Sequence, residues 1–249
     1  MPIRFAMFDF DGTLSLIREG WSGIMADIGV RLVNDPTGRD EIELAMLQLS
    51  GHASIVQMHR LREIAGGGPP AEELLDEFRE KLAERTDVRK RRIRDRIDSP
   101  DAWMVPGSRG MLEELRSRDV HLVLASGTPM EALTEEVDLL GLGEFFGERV
   151  YAPTGNSANF SKASVLAKYR ERLNLSGLEI VGFGDGYAET VAVVEAGGLA
   201  IGLASREAGE PGENAMKAAM LRDLGATIIV PDYGELMRRG VANVFPCSI

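Results

Sequence analysis

Two carboxylates stand two residues apart in the run Phe8-Asp9-Phe10-Asp11-Gly12-Thr13-Leu14-Ser15, directly behind an apolar stretch. If the chain is extended there, both acids face one side. The glycine that follows lets the backbone turn sharply. Acids at the end of an apolar strand are costly unless a cation answers them. As chemistry, the pair reads as a nucleophile, Asp9, with Asp11 as general acid and base. The same residues would also serve a plain Asp-Gly turn with a capping acid.

Three further loops carry residues of the same kind. In Leu122-Val123-Leu124-Ala125-Ser126-Gly127-Thr128-Pro129-Met130-Glu131 an apolar strand ends at Ser126. Thr128 then reads as an N-cap, Pro129 as the first helical residue and Glu131 as the partner in a capping box. A helix N-terminus beside Ser126 and Gly127 has the geometry of a phosphate site, or of a well-capped helix with no ligand. Lys162 stands near a predicted helix start, the wrong end for a cation, so it needs an anionic partner. In Ile180-Val181-Gly182-Phe183-Gly184-Asp185-Gly186-Tyr187-Ala188-Glu189 another apolar strand ends in an acid, with a second acid four residues on. Asp185 and Glu189 are hard oxygen donors of the type magnesium takes. Alone, each motif has an ordinary structural explanation. Jointly they meet one need, to hold a phosphoryl group, its metal and a carboxylate nucleophile together.

The elements that must position these loops follow from the apolar runs. These are Phe5–Phe8, His121–Ala125, Arg149–Ala152, Glu179–Gly184, Leu199–Leu203 and Thr227–Val230, alternating with helical patterns. That alternation implies an α/β fold, a Rossmann-like parallel sheet covered on both faces, with ligands at the carboxyl ends of its strands. Residues 16–103 lack strand patterns and are helical in period. Ile42, Ala45, Met46 and Leu49 mark one helix. Leu74, Phe78, Leu82, Ile93 and Ile97 mark a stripe on a second, which starts near Pro70. The expected organisation is therefore an α/β core of residues 1–15 and 104–249 with an α-helical cap, 16–103, inserted after the first strand. Re-entry falls near Ser99-Pro100 and Pro106-Gly107, where the cap could hinge as a lid.

Composition narrows the classes. The 249 residues are 44% hydrophobic, ample for a large core, and carry 28 basic against 39 acidic residues, a net charge of −11. Such a chain is a poor nucleic-acid binder and needs a local positive or metal-loaded pocket for an anionic substrate. The single Cys247 rules out an intramolecular disulfide and any cysteine-built metal site. No signal peptide and no apolar run of membrane-spanning length is visible, so a cytoplasmic protein with no membrane partner is expected.

The ordered set Asp9-Phe10-Asp11-Gly12-Thr13, Ser126, Lys162 and Gly184-Asp185 resembles the four motifs of the haloacid dehalogenase superfamily. Residues 16–103 are similar to the helical cap found in one branch of that family. Ala196-Gly197-Gly198-Leu199-Ala200-Ile201-Gly202 is similar to the run that follows its fourth motif. The resemblance implies that Asp9 attacks phosphorus to give an aspartyl-phosphate. Asp11 would protonate the leaving oxygen and then activate water. Ser126 and Gly127 would hold the phosphoryl oxygens, and Lys162 would stabilise the nucleophile and the phosphoryl charge. Mg2+ would be bound by Asp9, the Asp11 backbone carbonyl and Asp185. The acid at Asp11 favours phosphoryl transfer over dehalogenation. Where the family often carries Asp, this chain has Glu189, which could reach metal through water or hold Lys162. The activity implied is a phosphatase for a small phosphorylated metabolite such as a sugar phosphate, the chain being a monomer or homodimer. The competing readings are a phosphomutase of the β-phosphoglucomutase type and a catalytically idle binding protein.

Weaker features lie in the helical block. Arg18, Glu19 and Trp21 follow the first motif and fall near the expected cleft, as exposed residues would too. Ser50-Gly51-His52 breaks the helical pattern and could present a loop to substrate. Ser54 and Gln57 form an expected capping box. His52, His59 and His121 share no metal-ligand spacing. The basic run Arg89-Lys90-Arg91-Arg92-Ile93-Arg94-Asp95-Arg96 reads as a solvated helix face, or as an attractor of anions.

Overall fold

The computed structural model describes residues 2–50, 52–154, 160–206 and 208–240. Its strands are β1 (Phe5–Phe8), β2 (His121–Ala125), β3 (Val150–Tyr151), β4 (Ile180–Gly184), β5 (Leu199–Leu203) and β6 (Ile228–Val230). They form one six-stranded sheet in the order β3-β2-β1-β4-β5-β6, parallel at every pairing. The strand ends thus line one edge, with β1 near the middle between β2 and β4.

Period-two alternation feeds two cores. Ala6, Phe8, Leu122, Leu124, Val181 and Phe183 point into one. Phe5, Met7, Val123, Ala125 and Ile180 point into the other. The helices of the α/β part, in chain order after the helical block, are α5 (Ser108–Ser117), α6 (Met130–Leu139), α7 (Gly143–Phe146), α8 (Lys162–Arg172), α9 (Tyr187–Glu195), α10 (Ala215–Asp223) and α11 (Tyr233–Arg238). Helices α5, α6, α7 and α11 cover the first face; α8 and α9 cover the second. A sheet buried on both sides explains why its strands read as continuous apolar runs.

Between β1 and α5 lie α1 (Trp21–Val33), α2 (Arg39–Leu47), α3 (Ser54–Ile64) and α4 (Ala71–Arg94), with no strand among them. They share a core of their own, which includes Met25, Ile42, Met58, Leu61, Leu74, Phe78 and Leu82. The stripe on α4 is as expected up to Ile93, but Ile97 is not part of it. The helix stops at Arg94, Arg96 turns left-handed with φ 57°, and Ile97 is 62% exposed. Pro70 sits at the cap position, one residue ahead of the helix. The Ser54–Gln57 box is not formed: Ala53 holds the cap position of α3 with no side-chain bond. The buried Gln57 amide instead donates to the Met46 carbonyl at 3.2 Å, tying α3 to α2.

The outgoing and returning chains run side by side. Ser15 bridges to Met104, Leu16 N–H donates to the Trp103 carbonyl at 2.8 Å, and Val105 N–H to Leu14 at 3.0 Å. Both connections to the helical block are therefore stitched together beside the site. Among the described residues no helix is long and apolar enough to cross a membrane.

Candidate active site

Asp9 is the first residue beyond β1 and is 4% exposed. Its N–H donates to the Phe183 carbonyl of β4 at 2.9 Å, so the sheet ladder fixes its backbone. Gly12 takes φ +70°, and any side chain there would strike the Asp185 carboxylate. This glycine is thus required both for the turn and for the approach of the fourth loop. Ser126 follows β2 and Asp185 follows β4, each almost fully buried. Lys162 is the first residue of α8, behind the Ser161 cap.

These side chains meet. Lys162 Nζ lies 2.7 Å from Asp9 Oδ1 and 2.6 Å from Glu189 Oε2. The partner that its position at a helix start demanded is thus a pair of acids. Burial works against the lysine's charge, but Asp9 and Glu189 outweigh it and raise its pKa. Burial pushes the Asp9 carboxyl up and Lys162 opposes it. A 2.7 Å contact with a firmly charged lysine is the geometry of an ionised carboxylate. Glu189 has both oxygens committed, Oε2 to Lys162 and Oε1 to the Gly186 N–H at 2.6 Å. Of the two roles open to it, holding Lys162 is the one its bonds describe.

Asp11 accepts from the Thr128 hydroxyl at 2.6 Å through Oδ2. Its Oδ1 is buried and has no hydrogen-bond partner. Burial raises its pKa to about 6, against the pull of Arg18, whose Nε lies 3.9 Å from Oδ1. A carboxyl that titrates near neutrality with one unbonded oxygen can both give and take a proton. The bond to Thr128 also corrects an expectation. Helix α6 begins at Met130, with Pro129 at the cap and no side-chain cap bond. Thr128 does not cap because its hydroxyl is spent on Asp11. Ser126 Oγ instead accepts from the Thr128 N–H at 3.0 Å, which leaves the Ser126 hydroxyl proton to donate.

Sequence reading missed a second lysine. Lys217, in the first turn of α10 behind its Asn214 cap, is 2% exposed. Its Nζ lies 2.9 Å from Asp185 Oδ2 and 2.9 Å from Glu19 Oε1. Burial raises the Asp185 pKa to about 6, with Lys217 pulling it down. Ser205, also missed, donates to the Gly12 carbonyl at 2.5 Å and lies 3.5 Å from Lys217. The signal that marks Lys162, a cation in a first helical turn, also marks Lys217, but only once the helix start behind Asn214 is placed.

The donor set suits a divalent cation. Carboxylate oxygens of Asp9, Asp185 and Glu189 lie within 4.8 Å of one another, all buried. Four carboxylates, Asp9, Glu19, Asp185 and Glu189, face two ammonium groups, Lys162 and Lys217. Two buried negative charges in excess demand a cation, and oxygen-only donors suit a hard one. With Glu189 committed, Asp9 and Asp185 are the side chains left to bind it.

The helical block closes over this edge. Arg18 pairs with Glu136 of α6 at 2.8 and 3.2 Å. Lys90 of α4 reaches the same fully buried Glu136 at 3.3 Å and Glu135 at 2.8 Å. Arg94 also pairs with Glu135. Arg89 donates to the carbonyls of Leu16, Ile17 and Glu19 at 2.9–3.0 Å. The basic run is thus divided: Arg91, Arg92 and Arg96 are exposed, as a solvated face requires, while Arg89, Lys90 and Arg94 clasp α4 to the core side. At the opposite rim Ser50 packs on Gly186, where a Cβ would lie 2.5 Å from Ser50 Oγ. His52 stacks on Tyr187 at 5.9 Å. Gly51, between them, lies outside the described residues, as does Cys247. A cavity of about 590 Å³ remains between block and core. Asp9, Asp11, Arg18, Ser126, Gly127 and Thr128 line one side of it, and the faces of α1, α3 and α4 line the other.

Fold and site define an α/β protein with acids gathered at the carboxyl edge of a parallel sheet, one of them held by a buried lysine. A family model described as haloacid dehalogenase-like hydrolase matches residues 3–197, and the chain belongs to that family. No curated protein matches. Among solved structures, a conserved haloacid dehalogenase-like protein of unknown function from Agrobacterium tumefaciens aligns at 17% identity over 97% of this chain and 99% of its own, with a TM-score of 0.64. A β-phosphoglucomutase from Clostridium difficile aligns at 16%, over 97% and 96%, with a TM-score of 0.59. A predicted phosphoglycolate phosphatase from Haemophilus somnus aligns at 15%, over 95% and 97%, with a TM-score of 0.57. At these identities the three establish a shared fold.

Proposed function

We propose that this hydrolase is a magnesium-dependent phosphatase of small phosphate monoesters, with Asp9 as nucleophile and the helical block as its cap. The observation that carries the reading is the pairing at the β1 edge: Asp9 held by Lys162, and beside it Asp11 with Oδ1 buried and unbonded. In the first step an Asp9 oxygen attacks phosphorus while Asp11 gives its proton to the leaving alkoxide oxygen. The ester P–O bond breaks, the alcohol departs and an aspartyl-phosphate remains. Asp11, now a carboxylate, takes a proton from water. That water attacks phosphorus, the Asp9–phosphorus bond breaks, and phosphate leaves. Ser126 donates to a phosphoryl oxygen. Lys162 stays charged against the developing negative charge, and Glu189 keeps it in place. Asp9, Asp185 and the Asp11 carbonyl would hold magnesium, which would supply positive charge against the phosphoryl oxygens.

Phosphatase is preferred to mutase on the charges of the cavity. A mutase must hold a second phosphoryl group. Yet the lining cations among the described residues, Arg18 and Arg79, already face Glu136 and Asp76. The test is acid quenching during turnover with magnesium, followed by peptide mapping. A phosphoryl adduct on the Asp9 peptide is expected, and Asp9→Asn should abolish both adduct and turnover with its thermal melt intact. Turnover that survives in Asp9→Asn would end the covalent mechanism, and a strict requirement for a sugar bisphosphate would redirect the reading to a mutase.

A further inference from the structure

The cavity wall facing Asp9 and Asp11 says what the phosphate is attached to. Trp21 and Met25 from α1, Ile55 from α3, and Leu75, Phe78 and Leu82 from α4 line it. Positions 75, 78 and 82 fall on one face of α4, at spacings of three and four. Met25, Leu75, Phe78 and Leu82 also belong to the block's own buried core, so this wall is anchored rather than loose. The uncharged polar lining side chains on this side, Ser50, His52, Ser54 and Gln57, come from the chain before α4. Ser50 rests on Gly186 and His52 on Tyr187, both against the core loop. Gln57 spends its amide on the Met46 carbonyl.

A sugar ring laid on the stripe of Leu75, Phe78 and Leu82 would press several hydroxyls against side chains that offer no partner, each losing water there. A second anionic group fares worse. The wall's charged residues are Glu72, Asp76 and Arg79, two negative against one positive, and Arg79 already faces Asp76 at 3.6 Å. About 590 Å³ is within the range of sites that enclose a whole small molecule, well beyond a phosphate alone.

We infer that the substrate is a phosphate monoester of an apolar alcohol, alkyl or aryl-alkyl, with no second anionic group and few hydroxyls. This rests on the phosphatase reading for its chemistry, while the geometry of the wall carries the choice of carbon skeleton. Phosphate is held at the core edge, and the skeleton lies along the α4 stripe.

Equilibrium binding separates the two. The magnesium-loaded full chain is titrated calorimetrically with methylphosphonate and with n-hexylphosphonate, which share an anion and differ in tail. Hexylphosphonate is expected to bind at least 10-fold tighter, with a more negative heat-capacity change. Leu75→Ala should shrink the ratio of the two affinities about 5- to 10-fold, and Leu75→Met should restore it. In turnover, n-hexyl phosphate and 2-phenylethyl phosphate should exceed glucose 6-phosphate in kcat/KM by at least 10-fold, all three being esters of primary alcohols. Equal binding of the two phosphonates, or a preference for glucose 6-phosphate, overturns the inference and leaves the phosphatase standing. Preferential hexylphosphonate binding with no phosphate released from any ester upholds the inference about the wall and overturns the phosphatase.

Discussion

Two fully buried lysines bracket the acids, and they are built differently. Lys162 opens a helix and binds Asp9 and Glu189. Lys217 lies in the first turn of another and binds Asp185 and Glu19. In the proposed mechanism the first holds the attacking group itself. The second holds the acid across from it and ties that acid to Glu19, two residues before the helical block begins. One cation sits where charge moves in the reaction; the other sits where the site is assembled. Removing each should separate those jobs.

Of the two lysine variants, Lys162→Met should have the larger effect on catalysis. It removes the cation nearest the nucleophile and leaves Asp9 and Glu189 buried together. A fall in kcat of roughly 100- to 1,000-fold is expected, as for loss of a preorganised donor at a transition state. Breaking a buried pair from one side also destabilises by about 3–5 kcal/mol. Raising magnesium should not restore kcat. Steady-state kinetics across a magnesium series, with a thermal melt, reads both effects.

Lys217→Met should match it in stability and fall short of it in catalysis. Asp185 and Glu19 lose their shared partner, at a similar cost of about 3–5 kcal/mol. The kinetic defect should be that of a lost supporting contact to a metal ligand, about 10- to 100-fold, and excess magnesium should regain part of it. If Lys217→Met loses as much kcat as Lys162→Met and magnesium does nothing, the distinction between the two lysines collapses.

The same contrast explains what the sequence could and could not disclose. All six apolar runs are strands of the sheet. Asp9, Asp11, Ser126 and Asp185 were legible because a parallel sheet delivers its strand ends to one edge, so local position nearly fixes tertiary place. Lys162 was legible because a cation at a helix start is locally anomalous. Lys217 stands in a first helical turn too, but no start was read at Asn214, and it is the packing of α10 beside β5 and β6 that brings it to Asp185. Lys90 failed likewise: one residue of a basic helical run carries nothing that distinguishes a face pressed on Glu136 from a face in water. Thr128 failed in the opposite direction. Its local signal, Thr-Pro-Met-Glu, was strong and was overridden by a carboxylate 117 residues away.

That override sets the smallest effect. Thr128 donates to Asp11 and so favours its charged form, holding down a pKa that burial lifts to about 6. Thr128→Val removes the bond. At the lower end of the about 1.5–3 kcal/mol that a hydrogen bond to a charged group is worth, the Asp11 pKa should rise by roughly one unit. The sign follows from the chemistry. Asp11 must be protonated when the alcohol leaves, so a higher pKa keeps the competent form to higher pH. The falling limb of kcat/KM should therefore move upward by about one unit, with kcat changed less than in either lysine variant. Stability carries the same sign. A carboxyl whose folded pKa stands above its unfolded 3.8 binds more protons when folded, so stability falls as pH rises from 3.8 through about 6. In Thr128→Val that fall should extend to higher pH in chemical melts of the magnesium-free protein. A limb that stays in place would mean Asp11 is not the group that titrates there, and the proton would have to be sought elsewhere on the core edge.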